Sequence, residues 1–387
     1  MKSVGIIGMT AAVACALVTA GCGSSPRAVE PEQAAAPDSI GVGAYYVRAD
    51  GDDRNPGISE EAPFRTLQRA VEAAAATLVK RITVIGALRE NIAINDADPS
   101  APAIQLSMAD GITTLAADPS GDGRDPDSIV IAGKPGASGQ ERAVLTSPGG
   151  DYTVFISHAT VVFEHIEIAD NPSDPALFVE AGCLILGTET KITRNGSAEA
   201  GRAKHGDGGG IIAVGSMLVM RDNAEVSGNR SAEPGGGLFL QDSVLTMRNQ
   251  SKITGNSAGK PGGGVYLQDS SLVMCDAAQI AGNVSSTAGG GIAARGGDGR
   301  KRLVYSSIVL NGDSNILSNK AQAGGGAALL DKALITLDDS ALVSGNSATE
   351  RSGGVFVQGN VKARKGANAV IANNNAPREP DGNFKFE

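Results

Sequence analysis

The chain has 387 residues and carries 33 Lys and Arg against 42 Asp and Glu, a net charge of −9, which excludes a nucleic-acid partner held by phosphate neutralisation. Its 52 Gly are about 13% of the chain, against an average near 7%, but they follow no three-residue period, which excludes collagen. Hydrophobic residues reach 41% and recur in short regular runs, unlike a disordered chain, and aromatics are scarce, with no Trp, five Tyr and eight Phe.

In chain order, Lys2 precedes a weakly apolar run from Val4 to Val18, followed by small residues up to Cys22. This is the layout of a secretory signal, and the run is too short to span a bilayer. The stretch Leu17-Val18-Thr19-Ala20-Gly21-Cys22 resembles a bacterial lipobox, with Thr19 where Leu is usual. The resemblance implies that residues 1–21 are a lipoprotein signal peptide and that Cys22 is lipidated, as by palmitate. Residues 22–40, rich in Ser, Ala, Pro and Glu, read as a flexible tether. The partner so implied is a membrane, reached through the lipid. The location implied is the outer membrane or cell surface, with the periplasmic side as the alternative.

Residues 41–80 read as an N-terminal cap. Pro63 to Val79 is expected to form a helix with Leu67, Ala70, Val71 and Ala74 on one face, plugging the open end of a stack of strands. Before it, Asp50, Asp52, Asp53 and Asn55 offer closely spaced oxygens suited to calcium. Asx turns explain the same residues without metal, and no other cofactor is expected. A weaker set of the same kind is Asp118, Asp122, Asp125 and Asp127. Residues 81–176 hold strand-like runs at Ile82–Ile85, Ile104–Leu106, Ile129–Ile131, Val144–Thr146, Thr153–Ile156, Val161–Phe163 and Ile166–Ile168, separated by polar loops. They read as irregular coils, with His158 and His165 as structural residues within them.

Residues 177–387 are regular. Gly208-Gly209-Gly210 recurs at Gly235, Gly262 and Gly289 with a period of 27, then at Gly324 after 35, with Ser352-Gly353-Gly354 after a further 28. Each period holds three short runs with strand alternation and no helix-length segment. The pattern predicts an all-β chain, a right-handed single-stranded parallel β-helix with about 27 residues per coil. Leu218, Leu245 and Leu272 fall at one position of the turn and Met220, Met247 and Met274 at another. Val226, Ile253 and Ile280 share a third and Asn229, Asn256 and Asn283 a fourth. The aliphatic and Met ladders are expected inside, the Asn side chains bonded from coil to coil at a corner, and the glycines at a tight bend. Cys183 and Cys275 lie three coils apart, at least roughly 14 Å, too far to bond each other.

Tyr45-Tyr46-Val47, Asp50-Gly51-Asp52-Asp53, Asn55-Pro56-Gly57, Pro63-Phe64 and Thr66-Leu67 resemble the N-terminal cap of bacterial β-helix proteins of the pectin-lyase-like group. The repeats from about residue 177 to 375 resemble those of chlamydial polymorphic outer membrane proteins. Ile or Val three residues before Asn replaces their Phe, as in Val226/Asn229, Ile253/Asn256, Ile280/Asn283, Ile316/Asn319 and Val343/Asn346. That resemblance implies an adhesin-like surface protein. The signatures of β-helix pectinases are missing, and the scarcity of aromatics argues against a sugar-processing cleft.

Two insertions suggest binding sites. Lys204-His205-Gly206-Asp207 falls where the coil interval lengthens, so His205 and Asp207 are candidate ligand contacts. Arg295, Arg300, Lys301 and Arg302 form a basic projection on an acidic protein, suited to an anionic glycan or an acidic protein of a host or of the envelope. The expected function is a non-enzymatic, lipid-anchored scaffold for adhesion or ligand binding. The alternative is a carbohydrate-active β-helix, a polysaccharide lyase or glycoside hydrolase with a divergent site between Asp118 and Asp170.

Overall fold

The computed structural model describes residues 43–77, 79–95, 107–109, 112–114, 128–134, 142–149, 151–199, 208–297 and 305–382. Strands of two to five residues wind into a right-handed parallel β-helix. Successive coils stack into sheets of 11, 10 and 9 parallel strands. Sheet I runs from Tyr45–Arg48 to Val361–Lys365, sheet II from Ala87–Arg89 to Val370–Ala372, and sheet III from Ile92–Asn95 to Val355–Val357. A fourth sheet of five strands, Arg230–Ser231 to Ser347–Arg351, lies between II and III along the chain in the regular half. Ser107–Ala109 and Ile112–Thr114 form a separate antiparallel pair.

Alternation decides which side chains enter the core. In sheet I, Leu184, Leu218, Leu245, Leu272 and Ile308 stand in one file and Leu186, Met220, Met247, Met274 and Leu310 in another. All are 1% exposed or less. Sheet II contributes Ile192, Val226, Ile253, Ile280, Ile316 and Val343. Because each coil buries its apolar side chains only against its neighbours, the core is continuous but quasi-one-dimensional. The outer face of sheet I is also apolar in part: Val162, Cys183, Ile185, Met217 and Val219 form a second buried cluster. Cys183 and Cys275 lie on or beside strands of sheet I with two strands between them, which keeps them apart.

The Asn corner forms as its spacing predicts. From Asn195 to Asn346 each residue's backbone N–H and Nδ2 both donate to Oδ1 of the Asn one coil above, at 2.9–3.0 Å. Each Nδ2 also donates to a carbonyl of the coil below, Val226 O in the case of Asn256. At the top Asp381 replaces the next Asn and accepts from Asn374. At the bottom Asn171 donates its N–H to Asn195 Oδ1. The neighbouring glycines serve two distinct needs. Gly235 has φ 77°, in the left-handed region. A Cβ on Gly236 would stand 2.4 Å from the Ser257 carbonyl carbon and oxygen.

The helix is shorter than the sequence suggests, spanning Leu67–Ala75 rather than Pro63–Val79. Thr66 is its N-cap, with Oγ1 accepting from Arg69 N–H. Phe64 instead continues as extended chain bridged to Val47. Asp53 Oδ1 accepts the Arg65 and Thr66 N–H groups at 2.9 Å, which holds that segment out of the helix. Leu67, Ala70, Val71, Ala73 and Ala74 are buried in the same core as Ile82 and Ile92, so the helix closes that end of the stack. The coils before Leu177 use the same three sheets as those after it. Two of their strands, Ala87–Arg89 and Ile92–Asn95, were not among the runs expected from sequence. Ile104–Leu106 and the Asp118–Asp127 loop lie outside the described residues.

Candidate functional site

In sheet III the inward residues flank one outward position per coil. Register places Ala93, Phe155, Phe178, Ile212, Phe239, Tyr266, Ala293, Ala328 and Phe356 in a single outward file. Strands about 4.8 Å apart bring rings at that position to stacking distance. Phe155 and Phe178 stack with centroids 5.7 Å apart and planes inclined 12°, and Phe239 and Tyr266 with 5.6 Å and 21°. Tyr152, three residues before Phe155, lies 5.0 Å from the Phe178 ring at 23°. Thus Tyr152, Phe155, Phe178, Phe239, Tyr266 and Phe356, six of the chain's eight Phe and five Tyr, gather on one face.

The column stops at Ala93. Phe155 meets a ring in the coil above but only a methyl in the coil below, and the space where a further ring would stand is an open pocket of about 440 Å³. Gln68, Asn91, Ile92, Ala93, Asp151, Tyr152 and Phe155 line it. Each rim residue has a structural reason for its place. Gln68 projects from the capping helix, and its Oε1 accepts the Ala93 N–H at 2.9 Å. Asn91 Oδ1 accepts from Ser147 Oγ at 2.7 Å. Asn171, the lowest member of the Asn corner, donates Nδ2 to the Asp151 carbonyl at 2.8 Å. Glu90 accepts from the Leu67 N–H at 2.7 Å and more distantly from Gln68 N–H, tying the helix start to the strand below the pocket.

Burial, reinforced by the Asp151 and Asp174 carboxylates, pushes the Tyr152 hydroxyl well above its ordinary range, so it stays protonated. Burial likewise raises Glu90, against the lowering effect of the two helix N–H groups. Among the described residues that line the pocket there is no Lys, Arg or His. It presents two aromatic rings, two amides and one carboxylate.

The residues singled out in the sequence lie elsewhere. Asp50 pairs with Arg48, Asp52 with Arg54, Asp53 accepts from Arg65 and Thr66, and Asn55 Nδ2 donates to Pro63 O. The four therefore serve the cap as separate turn and ion-pair residues. Among the described residues no group of three His, Cys, Asp or Glu is placed to hold a metal ion. Arg295 ends a sheet III strand, exposed, five strands from Phe155 and so about 24 Å away. It contributes, after the Asn360 and Lys332 N–H groups and the Lys332 charge, to holding the Asp331 carboxyl below its usual range. His158 and His165 occupy turns with φ 54° and 53°, and His165 Nδ1 lies 3.6 Å from Glu189. Cys22, His205, Asp207, Arg300, Lys301 and Arg302 lie outside the described residues.

The sequence reading missed the aromatic column, although its signal is present. Each outward residue is the middle of a triplet whose outer members face the core: Val154-Phe155-Ile156, Leu177-Phe178-Val179, Leu238-Phe239-Leu240, Val265-Tyr266-Leu267 and Val355-Phe356-Val357. Ile92-Ala93-Ile94 is the same triplet with the ring removed. Compared with protein-family models, with curated proteins and with solved structures, the chain gives no match.

Proposed function

We propose that this chain is a ligand-binding β-helix without turnover, held at the cell envelope by a lipid on Cys22 and presenting its rigid outer faces as an adhesin-like surface. The observation that carries the binding reading is the pocket below Phe155. It is open, preorganised by hydrogen bonds from the capping helix and the Asn corner, and lined by aromatic rings with a polar rim. This is the usual make-up of a small-molecule site. Its lining supports binding rather than hydrolysis. Glycoside hydrolysis uses a pair of carboxyl groups, acid and base or acid and nucleophile. Among the described lining residues Asp151 is the one carboxylate, and Tyr152 is held protonated.

The anchor rests on the lipobox-like stretch Leu17 to Cys22, and the outer-membrane or surface location follows from it as part of the same proposal. Two measurements test the reading. Cys22→Ser is expected to move the protein from the membrane fraction to the soluble one, and retention at the membrane would refute the lipid anchor. Incubation with neutral and acidic polysaccharides is expected to release no reducing ends and no unsaturated products. Release of either would replace the scaffold with the alternative, a carbohydrate-active enzyme.

A further inference from the structure

We propose that the C-terminal end of the stack binds an extended peptide of alternating acidic and apolar residues, added as a further strand above Val361–Lys365. The inference is independent of the pocket, which lies at the opposite end of the β-helix.

The two ends of sheet I differ in their backbone. At the lower end Tyr45–Arg48 is the first strand, and its outer edge is already used. Tyr46 N–H donates to Gly57 O, Tyr46 O accepts from Phe64 N–H, and Arg48 N–H donates to Phe64 O. At the upper end Val361–Lys365 is the last strand. Gly366, next along the chain, donates its N–H down to Leu337 O. Successive residues of a strand turn their backbone groups to opposite sides, so Lys362 and Arg364 bond downward as Gly366 does. The N–H and C=O groups of Val361 and Ala363 and the N–H of Lys365 point up, and nothing among the described residues meets them. The last strand of sheet III is covered by contrast: Val355 N–H donates to Asp381 O, and Val355 is bridged to Gly382. An unused edge is a template for one more strand.

The side chains at that edge specify the guest. Ala363 faces the core in the file that carries Ile308 and Ile335 below it, so an apolar side chain on an added strand has core to cover. Lys362 and Arg364 face outward and are exposed. Lys362 Nζ stands 5.7 Å over the Tyr305 ring, and among the described residues neither side chain has a carboxylate partner. Lys365 is engaged in its own turn, with Nζ donating to the Gly366 and Ala369 carbonyls. From Gln358 to Asn375 the last coil carries Lys362, Arg364 and Lys365 and no Asp or Glu, in a chain of net charge −9.

Charge on an edge strand guards it against pairing with its own kind. The same edge of a second copy would set Lys and Arg against Lys and Arg, and the lower end of a copy has no free sheet I edge to offer. An acidic strand meets neither obstacle. Its backbone continues the ladder, its carboxylates stand opposite Lys362 and Arg364, and its apolar residues lie over Val361 and Ala363. In such strand addition the main chain supplies affinity and alternate side chains supply specificity.

The test is calorimetric titration of the full-length protein with the capped peptide Ser-Val-Glu-Val-Glu-Val-Ser. The controls are Ser-Val-Lys-Val-Lys-Val-Ser and the same acidic composition reordered as Ser-Glu-Glu-Val-Val-Val-Ser. The alternating acidic peptide is expected to bind and both controls are not. Lys362→Glu/Arg364→Glu, on the exposed face, is expected to weaken its binding by about tenfold or more and to admit the Lys peptide instead. Ala363→Pro removes an N–H that the fold leaves unused, as an edge strand tolerates, and is expected to weaken binding by about tenfold with the urea midpoint little changed. Amide hydrogen exchange gives a second readout: the Ala363 and Lys365 N–H groups exchange freely in the protein alone and are expected to become protected with the peptide. The proposal is overturned if the acidic peptide does not bind at millimolar concentration, or if either control binds as well as it does. It is equally overturned if binding survives both variants, or if binding leaves the Ala363 and Lys365 amides unprotected. None of these results bears on Cys22, on turnover or on the pocket below Phe155.

Discussion

The Asn corner and the aromatic column are both files of like side chains repeated once per coil, but one is closed and the other is open. At the corner every Asn from Asn195 to Asn346 gives its donors to the coil above, and Asp381 ends the file, so each polar group is used within the protein. In the column Phe155 lacks a ring below it, and a pocket takes the place of the missing neighbour. A completed ladder contributes rigidity. A ladder broken at a coil lined by helix and corner residues leaves a surface that a ligand can complete. The two meet at Asn171, which begins the corner and holds the Asp151 carbonyl beside the pocket.

The sharpest way to break this contrast is at the corner. Asn256→Ala strands the Asn229 N–H and Nδ2, the Val226 carbonyl and the Asn283 acceptor in a fully buried site. With unsatisfied buried groups costing about 1–3 kcal/mol each, a loss of about 4 kcal/mol in urea unfolding is expected. A loss below about 1 kcal/mol would show that the corner is not a closed network. Gly236→Ala comes next. Its new Cβ would meet backbone of Ser257 and Gly263 at 2.4–2.5 Å, and backbone in a stacked coil has nowhere to move. About 3 kcal/mol is expected, read as a shift of the urea midpoint. At the capped end, Thr66→Ala removes the hydroxyl that accepts from Arg69 N–H, and about 1 kcal/mol is expected in the same measurement.

These differences also explain what the sequence made legible. The corner was readable because its chemistry tolerates one residue type: only Asn both accepts from the coil below and donates to the coil above, so the letter repeats at Asn229, Asn256 and Asn283. Gly236 and Gly263 repeat for an equally strict steric reason. The column is not strict, because any apolar side chain covers its neighbour. Phe155, Phe178, Ile212, Phe239, Tyr266 and Ala293 fill one position with four residue types at uneven intervals. Low aromatic content argued against a sugar site, but a count carries no placement, and here six of the rings share one face. The candidate calcium residues are a related case. Asp50, Asp52, Asp53 and Asn55 are close in sequence, yet Arg48, Arg54, Thr66 and Pro63 draw each to a different partner.

The smallest expected effect lies at the pocket end, where Glu90 holds the start of the helix that carries Gln68. Burial raises its carboxyl above the ordinary value of 4.5, outweighing the Leu67 and Gln68 N–H groups that lower it. A carboxyl raised by folding binds its proton more tightly in the native state than in the unfolded chain. Its contribution to stability is therefore fully present below pH 4.5 and is lost as pH rises through the higher folded value. Glu90→Gln keeps an acceptor for the Leu67 N–H and cannot ionise. The urea midpoint of the native protein is therefore expected to fall relative to that of Glu90→Gln between pH 4 and pH 7. The Asn256→Ala protein, altered at the corner and still carrying Glu90, is expected to track the native protein's pH dependence while remaining less stable throughout. A midpoint difference between native and Glu90→Gln that stays constant from pH 4 to pH 7 would show that the carboxylate is as well solvated in the folded chain as in the unfolded one. The capped end would then be as completely satisfied as the corner, and the contrast between them would rest on the missing ring at Ala93 alone.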